Sequence, residues 1–165
     1  MSGIAGFFDL SKNEINDSVN SKIGDSIKRR GIDGINSISS DHFSLFHSRL
    51  NVTRESLIED LPFFHKQYQI YIVCDARIDN INELTKDLNL KSSQTDSSII
   101  IEAYKKWGTK CPEKLIGAFS FIIYDTKLDL IESEDNFLLY TIEKEYDKDP
   151  DLNDEIIKDQ IAELI

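Results

Sequence analysis

The chain has 165 residues, 40% apolar and 30% charged, a length and composition typical of one globular domain with an ordinary core. Its formal charge of −11 opposes binding to a phosphate backbone, so the sequence predicts no nucleic-acid partner. It contains no apolar run as long as a membrane span and no secretory signal pattern, which predicts a cytoplasmic protein without membrane attachment.

The start of the chain predicts one strand, a polar turn and one helix. Residues 4–8 form a short apolar run typical of a strand, and residues 9–16 are polar. The following helix is predicted to have Asp17 or Ser18 as its cap and Gly31 just beyond its basic end. It is indicated by three branched apolar residues at helical spacing, Val19, Ile23 and Ile27.

Two buried strands and a second helix follow. Residues 43–50 alternate as a strand, and residues 68–75 form a more continuously apolar one. Residues 80–88 carry an apolar stripe at helical spacing, with Asn80 and Glu83 as an approximate capping box.

The clearest helix spans residues 95–107, where an apolar stripe ends at two lysines and is followed by Gly108. Residues 117–124 and 128–132 predict a hairpin, and residues 138–142 predict one more strand.

These elements predict an α+β fold. The strands are apolar on both faces and need a covering layer on each side, which an αββα sandwich of two mainly antiparallel sheets flanked by helices provides. We assign residues 1–142 to this domain. Residues 143–165 are predicted to be a charged linker and the start of an amphipathic helix leading toward a domain absent from the chain.

The cysteines and histidines do not have the spacing of a metal site. Cys74 and Cys111 show no CxxC motif, which predicts two reduced, packed thiols rather than a disulfide or a zinc site. Because His42, His47 and His65 also lack ligand spacing, we expect no metal.

Five segments in register carry a family resemblance. They resemble, in order and spacing, the class II glutamine amidotransferase domain of asparagine synthetases, which implies the N-terminal-nucleophile hydrolase fold over residues 1–142. The segments are SGIAGFF from Ser2, HSRL from His47, DARIDN from Asp75, TDS from Thr95, and GAFSF from Gly117 with Tyr124 and Asp125.

The resemblance implies a nucleophile position at residue 2, where active members have Cys and this chain has Ser2. In those members Met1 is removed, and the free α-amine, which titrates near ~7.7, accepts the thiol proton. A retained Met1 would turn this amine into an amide that cannot act as a base. We expect Ser2 to be an inert residue, the alternative being a working nucleophile.

The family's Asn-Gly-Glu sequence, which supplies the oxyanion hole and a contact to the substrate amine, aligns with Asp75, Ala76 and Arg77. An ionised Asp75 has no hydrogen-bond donor, so the oxyanion position is expected to be degenerate. Arg77 in place of an acid would repel the substrate ammonium. The favoured alternative is that Arg77 pairs with Asp75 in a structural network.

Two further substrate contacts are retained by position. Arg49 matches the arginine that binds the glutamine α-carboxylate, and Asp96 matches the acid that holds its α-amino group. Equally weighted alternatives are a salt bridge at a strand end for Arg49 and a helix cap for Asp96. His47 is expected to be a packed core residue.

The function this favours is an inactive amidotransferase-like domain of an asparagine-synthetase-like protein. It would be a scaffold for an ATP-dependent adenylating domain or protein, as in the β-lactam-forming and lasso-peptide-cyclising branches that the DARIDN form resembles. No cofactor is expected in this chain, since ATP and Mg²⁺ would belong to the absent domain. The alternatives are an active glutaminase acting through Ser2, or through a native Cys that Ser2 replaces, and a glutamine sensor. A second copy of the chain and glutamine are further candidate partners.

Overall fold

The computed structural model describes residues 2–51, 59–90 and 94–135. Side chains are described for these residues up to Ile131. The predicted strand at residues 138–142 and the predicted linker and helix of residues 143–165 lie outside the described residues. Within the described ranges, no helix combines the length and the apolar character of a membrane span.

Seven strands and three α-helices make up the described fold, with two 3₁₀ segments at Lys28–Arg30 and Gly108–Lys114. In chain order they are β1 (Gly3–Phe8), α1 (Asp17–Ile27), β2 (Ile35–Ser40), β3 (Phe43–Ser48), β4 (Phe63–His65), β5 (Ile70–Ile78), α2 (Ile81–Asp87), α3 (Asp96–Trp107), β6 (Gly117–Asp125) and β7 (Leu130–Asp135).

The strands form two antiparallel sheets. The first has the order β1-β3-β2, and the second has the order β4-β5-β6-β7. In the first sheet Gly3 of β1 lies opposite Ser48 of β3, and in the second Ile78 of β5 lies opposite Gly117 of β6. These registers place the amino end of β1 beside the carboxyl end of β3.

Two apolar clusters define the layers. One lies between the sheets and is centred on Phe43, Leu45, Val73 and Tyr124. The larger one lies between the four-stranded sheet and helices α2 and α3, and it includes fully buried isoleucines from β5 and α3. Helix α1 covers the outer face of the first sheet, where Phe46 lies next to Gly24. The predicted α+β sandwich of two sheets between helices is therefore confirmed.

The sequence analysis missed β2 and β4. Neither has a continuous apolar run: β2 is the polar sequence INSISS, and β4 has only three residues. Both are edge strands whose pairing comes from a neighbour, β3 and β5 respectively. A strand as polar as β2 can form because the adjacent strand supplies its hydrogen bonds, whereas the three residues of β4 are too few to show a strand pattern.

The predicted amino-terminal caps of α1 and α2 were wrong, whereas the predicted glycines at the carboxyl ends, Gly31 and Gly108, are confirmed. Asn16 caps α1 by accepting a hydrogen bond from the Ser18 N–H, so neither Asp17 nor Ser18 is the cap. Asn80 precedes α2 without a side-chain capping bond; its amide instead joins the backbone of Lys114 and Ile116. Tertiary hydrogen bonds have taken the groups that a local capping box would use.

Candidate functional site

The amino end of β1 brings Ser2 to the carboxyl end of β3. The Ser2 hydroxyl oxygen accepts a hydrogen bond from the Leu50 backbone N–H at 3.3 Å. Ile4 and His47 lie opposite each other in the sheet, and Ile4 packs into the apolar cluster between the sheets. Ser2 therefore lies at one end of the space between the two sheets.

Asp75 lies in β5 on the opposite wall of that space. Its side chain lies on the same face of β5 as that of Val73, which belongs to the inter-sheet cluster, so the carboxylate faces the inter-sheet space. Burial raises the pKa of the Asp75 carboxyl, and the nearby His47 and Arg30 oppose that rise. Ser2 and Asp75, two of the candidate catalytic residues, thus both border the inter-sheet space.

Ala76 contributes a backbone donor to the same end of β5. The Ile78 N–H donates to the Asp96 carboxylate at 3.2 Å, so it points away from the neighbouring β6. Because N–H groups alternate in direction along a strand, the Ala76 N–H points toward the same open edge. Among the residues that the structure describes, β4 pairs with β5 over Ile70–Ile72 and does not extend to Ala76.

Arg77 does not pair with Asp75. Its Nε donates to Asp79 at 3.1 Å, and its side chain is 81% exposed. The predicted Asp75–Arg77 network is therefore wrong. The physical reason is that the Asp75 side chain is half-buried in the inter-sheet space, whereas Asp79 lies at the exposed end of the strand beside the solvent-exposed Arg77.

Arg49 follows β3 and is held by the loop between the first 3₁₀ segment and β2. Its guanidinium donates to the Asp33 carbonyl at 2.9 Å, and its backbone exchanges hydrogen bonds with Asp33 and Gly34. Among the residues that the structure describes, the guanidinium donates to a carbonyl oxygen and the predicted strand-end salt bridge is not found. The Arg49 Nε is buried without a hydrogen-bond partner in the described structure.

Asp96 is the first residue of α3, and the helix cap is Thr95. The Asp96 carboxylate instead joins the start of this helix to the end of β5 through Ile78. The prediction that Asp96 caps the helix is therefore wrong. Whether its carboxylate binds a ligand remains a proposal.

His47 is a core histidine, as predicted, with only 8% of its surface exposed. Burial lowers the pKa of its imidazole, opposed by the nearby Asp75 and Glu59 carboxylates and by a hydrogen bond to the Leu61 backbone. Its Nδ1 is buried without a partner in the described structure. The site thus contains a buried histidine whose neutral form is favoured.

Replacing His47 by Asn is expected to flatten the loss of stability on acidification. The unfolded imidazole titrates near its ordinary value of 6.5 and the folded one at lower pH, so unfolding takes up a proton within this window. Stability should therefore fall as the pH drops below 6.5, by at most about 1.4 kcal/mol per pH unit from this group. Urea unfolding at several pH values measures the slope. Parallel wild-type and variant curves below pH 6.5 would contradict the expectation.

Glu59 and Arg30 were not predicted as site residues, although Arg30 begins the Arg30-Gly31-Ile32-Asp33 run that resembles a family loop. Glu59 binds the amino end of α3, accepting hydrogen bonds from the Ser97 N–H at 3.2 Å and hydroxyl at 2.6 Å. Arg30 lies against β1, where a side chain on Gly3 would come within 2.9 Å of the Arg30 Cβ. Glu59 is 38 residues from its partner in sequence, so only the fold reveals this contact.

The opposite end of the inter-sheet space contains a separate cavity of about 80 Å³. Its polar groups bind one another: the Tyr124 hydroxyl lies 3.2 Å from His42 and donates to Asp129, which pairs with Lys12 at 2.5 Å. This chain of contacts joins the loop after β1 to the β6–β7 turn. It involves none of the candidate site residues.

The thiols lie in the apolar cores. Cys74 and Cys111 are buried and form no disulfide, and burial raises the pKa of the Cys74 thiol well above its usual value, with Glu59, Asp96 and Asp75 adding to the rise. Both are packed residues, as predicted.

Two antiparallel sheets packed between helices, with residue 2 at one end of the inter-sheet space, place the chain in the class of αββα sandwich domains. The family described as "Glutamine amidotransferase domain" matches residues 1–137, and this chain belongs to that family.

Its curated relatives include asparagine synthetases. The chain is 26% identical over 137 residues to "Asparagine synthetase [glutamine-hydrolyzing] 3" of Bacillus subtilis (strain 168), covering 79% of this chain and 22% of that protein. It is 29% identical over 103 residues to "Asparagine synthetase [glutamine-hydrolyzing] 1" of Arabidopsis thaliana, covering 61% of this chain and 18% of that protein. The chain thus spans about a fifth of the length of the curated relatives it matches.

Proposed function

We propose that this glutamine amidotransferase domain no longer hydrolyses glutamine and serves as a scaffold for an adenylating, amide-forming domain or protein. The observation that carries the proposal is the half-buried Asp75 carboxylate, which faces the inter-sheet space from β5 at the position that aligns with the family's oxyanion Asn. A carboxylate at this position offers acceptor oxygens where a developing oxyanion needs donors. Ser2 adds to the loss, because a hydroxyl is not ionised near neutral pH as a thiol partly is.

The scaffold role is supported by the relation to much longer proteins. The relatives are named as glutamine-hydrolysing asparagine synthetases, and this chain matches about a fifth of each. We propose that the partner supplies the ATP and Mg²⁺ chemistry, that this domain binds no cofactor of its own, and that both act in the cytoplasm. Association with a second copy of this chain is the alternative that we propose to docking on the adenylating partner.

Amino-acid binding without hydrolysis is the second candidate function. The Arg49 Nε is a buried donor without a partner in the described structure, and such groups are normally satisfied by water, ion or ligand. A guanidinium can bind a carboxylate through two parallel hydrogen bonds. Asp96 would hold the ligand amine in this proposal, with Arg77 at the rim of the site.

Glutamate release is expected to be undetectable when the protein, with Met1 fully removed, is incubated with glutamine. The test is an enzyme-coupled glutamate assay on wild type and Ser2→Ala, with the amino terminus checked by intact mass. Turnover near one per second that disappears in Ser2→Ala would overturn the proposed loss of activity, since it lies in the range of working enzymes. Calorimetric titration of the same samples with glutamine addresses the second candidate.

A further inference from the structure

Strands β2 and β4 lie on the same side of the sandwich. β2 is an edge of the first sheet and β4 an edge of the second, and among the described residues neither strand pairs on its outer side. A groove of about 620 Å³ runs between them, and both strands contribute to its lining. The outer N–H and C=O groups of an edge strand are unpaired, so they can bind a further strand.

Apolar side chains reach this groove from both sheets. Ile38 of β2 packs against the cluster between the sheets, and the Phe64 ring of β4 lies 4.4 Å from the Tyr71 ring, centroid to centroid. Phe64 is nevertheless 36% exposed. Beside them the Asn36 amide donates to the Asp60 carboxylate at 2.8 Å. In the described structure, the core between the sheets therefore ends on this side in partly exposed apolar side chains.

The two strands lack the charges that commonly protect a sheet edge. Charged residues make up 30% of the chain, yet INSISS in β2 and FFH in β4 contain no Asp, Glu, Lys or Arg. β7, the other described edge of the second sheet, has three acids in LIESED. Of the residues that line the groove only Asp60 is charged, and Asn36 binds it. Since charged side chains normally keep edges from pairing, these uncharged edges fit a surface that pairs with another strand.

The charge of the chain favours a second copy as the partner at these edges. Each copy has a formal charge of −11, so two copies repel one another unless they meet on an uncharged surface. Two antiparallel β2 strands place no like charges opposite each other. Because β2 and β4 lie on the same side, one two-fold axis can bring both apolar edges of one copy against the same edges of the other.

We propose that β2 pairs in antiparallel orientation with β2 of a second copy and joins the three-stranded sheets of the two copies into one continuous sheet. The two-fold axis passes between Ser37 and Ile38, the midpoint of Ile35–Ser40. Ile38 and Phe64 of both copies then close the groove. The inference rests on the proposed association with a second copy, for which it supplies the surface, and it is independent of the proposed loss of glutamine hydrolysis.

The test is sedimentation velocity of the full chain at low and high salt. Raising NaCl from ~0.1 M to ~1 M shortens the Debye length from about 10 Å to about 3 Å. Because the pairing surface is uncharged and each copy carries −11, screening should strengthen the dimer. Hydrogen exchange of the β2 amides should slow as the protein concentration rises, since pairing protects the outer N–H groups.

Two lysine variants separate the β2 edge from general effects of charge. Ser37→Lys changes an exposed residue at the proposed axis and should weaken the dimer at least about tenfold, because two like charges then lie close together in the interface. Ser21→Lys makes the same change at an exposed position of α1 and should dimerise at least as well as wild type. Urea unfolding checks that both variants are folded.

A chain that is monomeric at every salt concentration would overturn the pairing, as would a dimer that Ser37→Lys leaves unchanged. Equal weakening by both lysine variants would also overturn it. Strong exchange protection of β2 in a monomer would mean that the chain itself covers this edge, which contradicts the proposal. The glutamate assay decides the loss of activity separately: turnover would overturn that loss and leave the dimer standing, and a monomer without turnover would do the reverse.

Discussion

Restoring the thiol alone, with Ser2→Cys, is expected to leave glutamine hydrolysis undetectable. At the proposed nucleophile position the variant has a thiol that is partly ionised near neutral pH, but Asp75 still presents acceptor oxygens at the proposed oxyanion position. Loss of one oxyanion donor costs about 2.7–4 kcal/mol, or about 10²–10³ in kcat. The double variant Ser2→Cys, Asp75→Asn should therefore hydrolyse glutamine at least about 100-fold faster than Ser2→Cys alone. The measurement is the same glutamate assay, on protein with Met1 removed.

Adding Arg77→Glu should give a smaller further increase. Unit charges at ~4 Å interact by about 4 kcal/mol at an effective dielectric of 20, but Arg77 is 81% exposed and already paired with Asp79, so solvent screens much of this effect. The matched control is Ser2→Ala, Asp75→Asn, which has the restored amide without a thiol and should be inactive. Efficient hydrolysis by Ser2→Cys alone would show that Asp75 does not block the oxyanion position.

Gly31→Ala is expected to destabilise the protein and to disturb the attachment of Arg49. A Cβ at residue 31 would lie 2.2 Å from the Arg49 carbonyl oxygen and 2.5 Å from the Ser48 carbonyl carbon. The backbone of Gly31 is extended, so the cost comes from contact with β3 rather than from an unusual dihedral angle. Overpacking of this kind typically costs about 1–3 kcal/mol, and here the obstacle is rigid backbone.

Gly24→Ala is the matched control for that prediction. Its Cβ would meet the Phe46 ring at 3.7 Å, an ordinary contact, and Gly24 lies inside α1. Alanine in a helix interior is more stable than glycine by about 0.5–1 kcal/mol. Urea unfolding of the two variants and wild type provides the comparison. Equal stability of Gly31→Ala and Gly24→Ala would mean that the loop before β2 can move away from β3 at little cost.

The layers of the fold followed from short-range patterns. Apolar runs at β1, β3 and β5 predicted strands buried on both faces, and the apolar stripe of α3 predicted the helix that covers the second sheet. Side-chain period and burial are local properties of a segment, so a single sequence contains them. The edge strands β2 and β4 depend on their neighbours and were missed for that reason.

For the candidate site too, some features were predictable from the sequence and others were not. The sequence by itself determined which residue types stand at the family positions, and it marked Ser2 and Asp75 as the departures that we propose oppose glutamine hydrolysis. Only the tertiary structure decided their partners: the Ser2 hydroxyl binds the Leu50 N–H, Arg77 binds Asp79, and Asp96 binds the end of β5. Polar side chains satisfy themselves with whichever donors and acceptors the packed elements bring within about 3 Å, and those neighbours are set by the fold rather than by spacing along the chain.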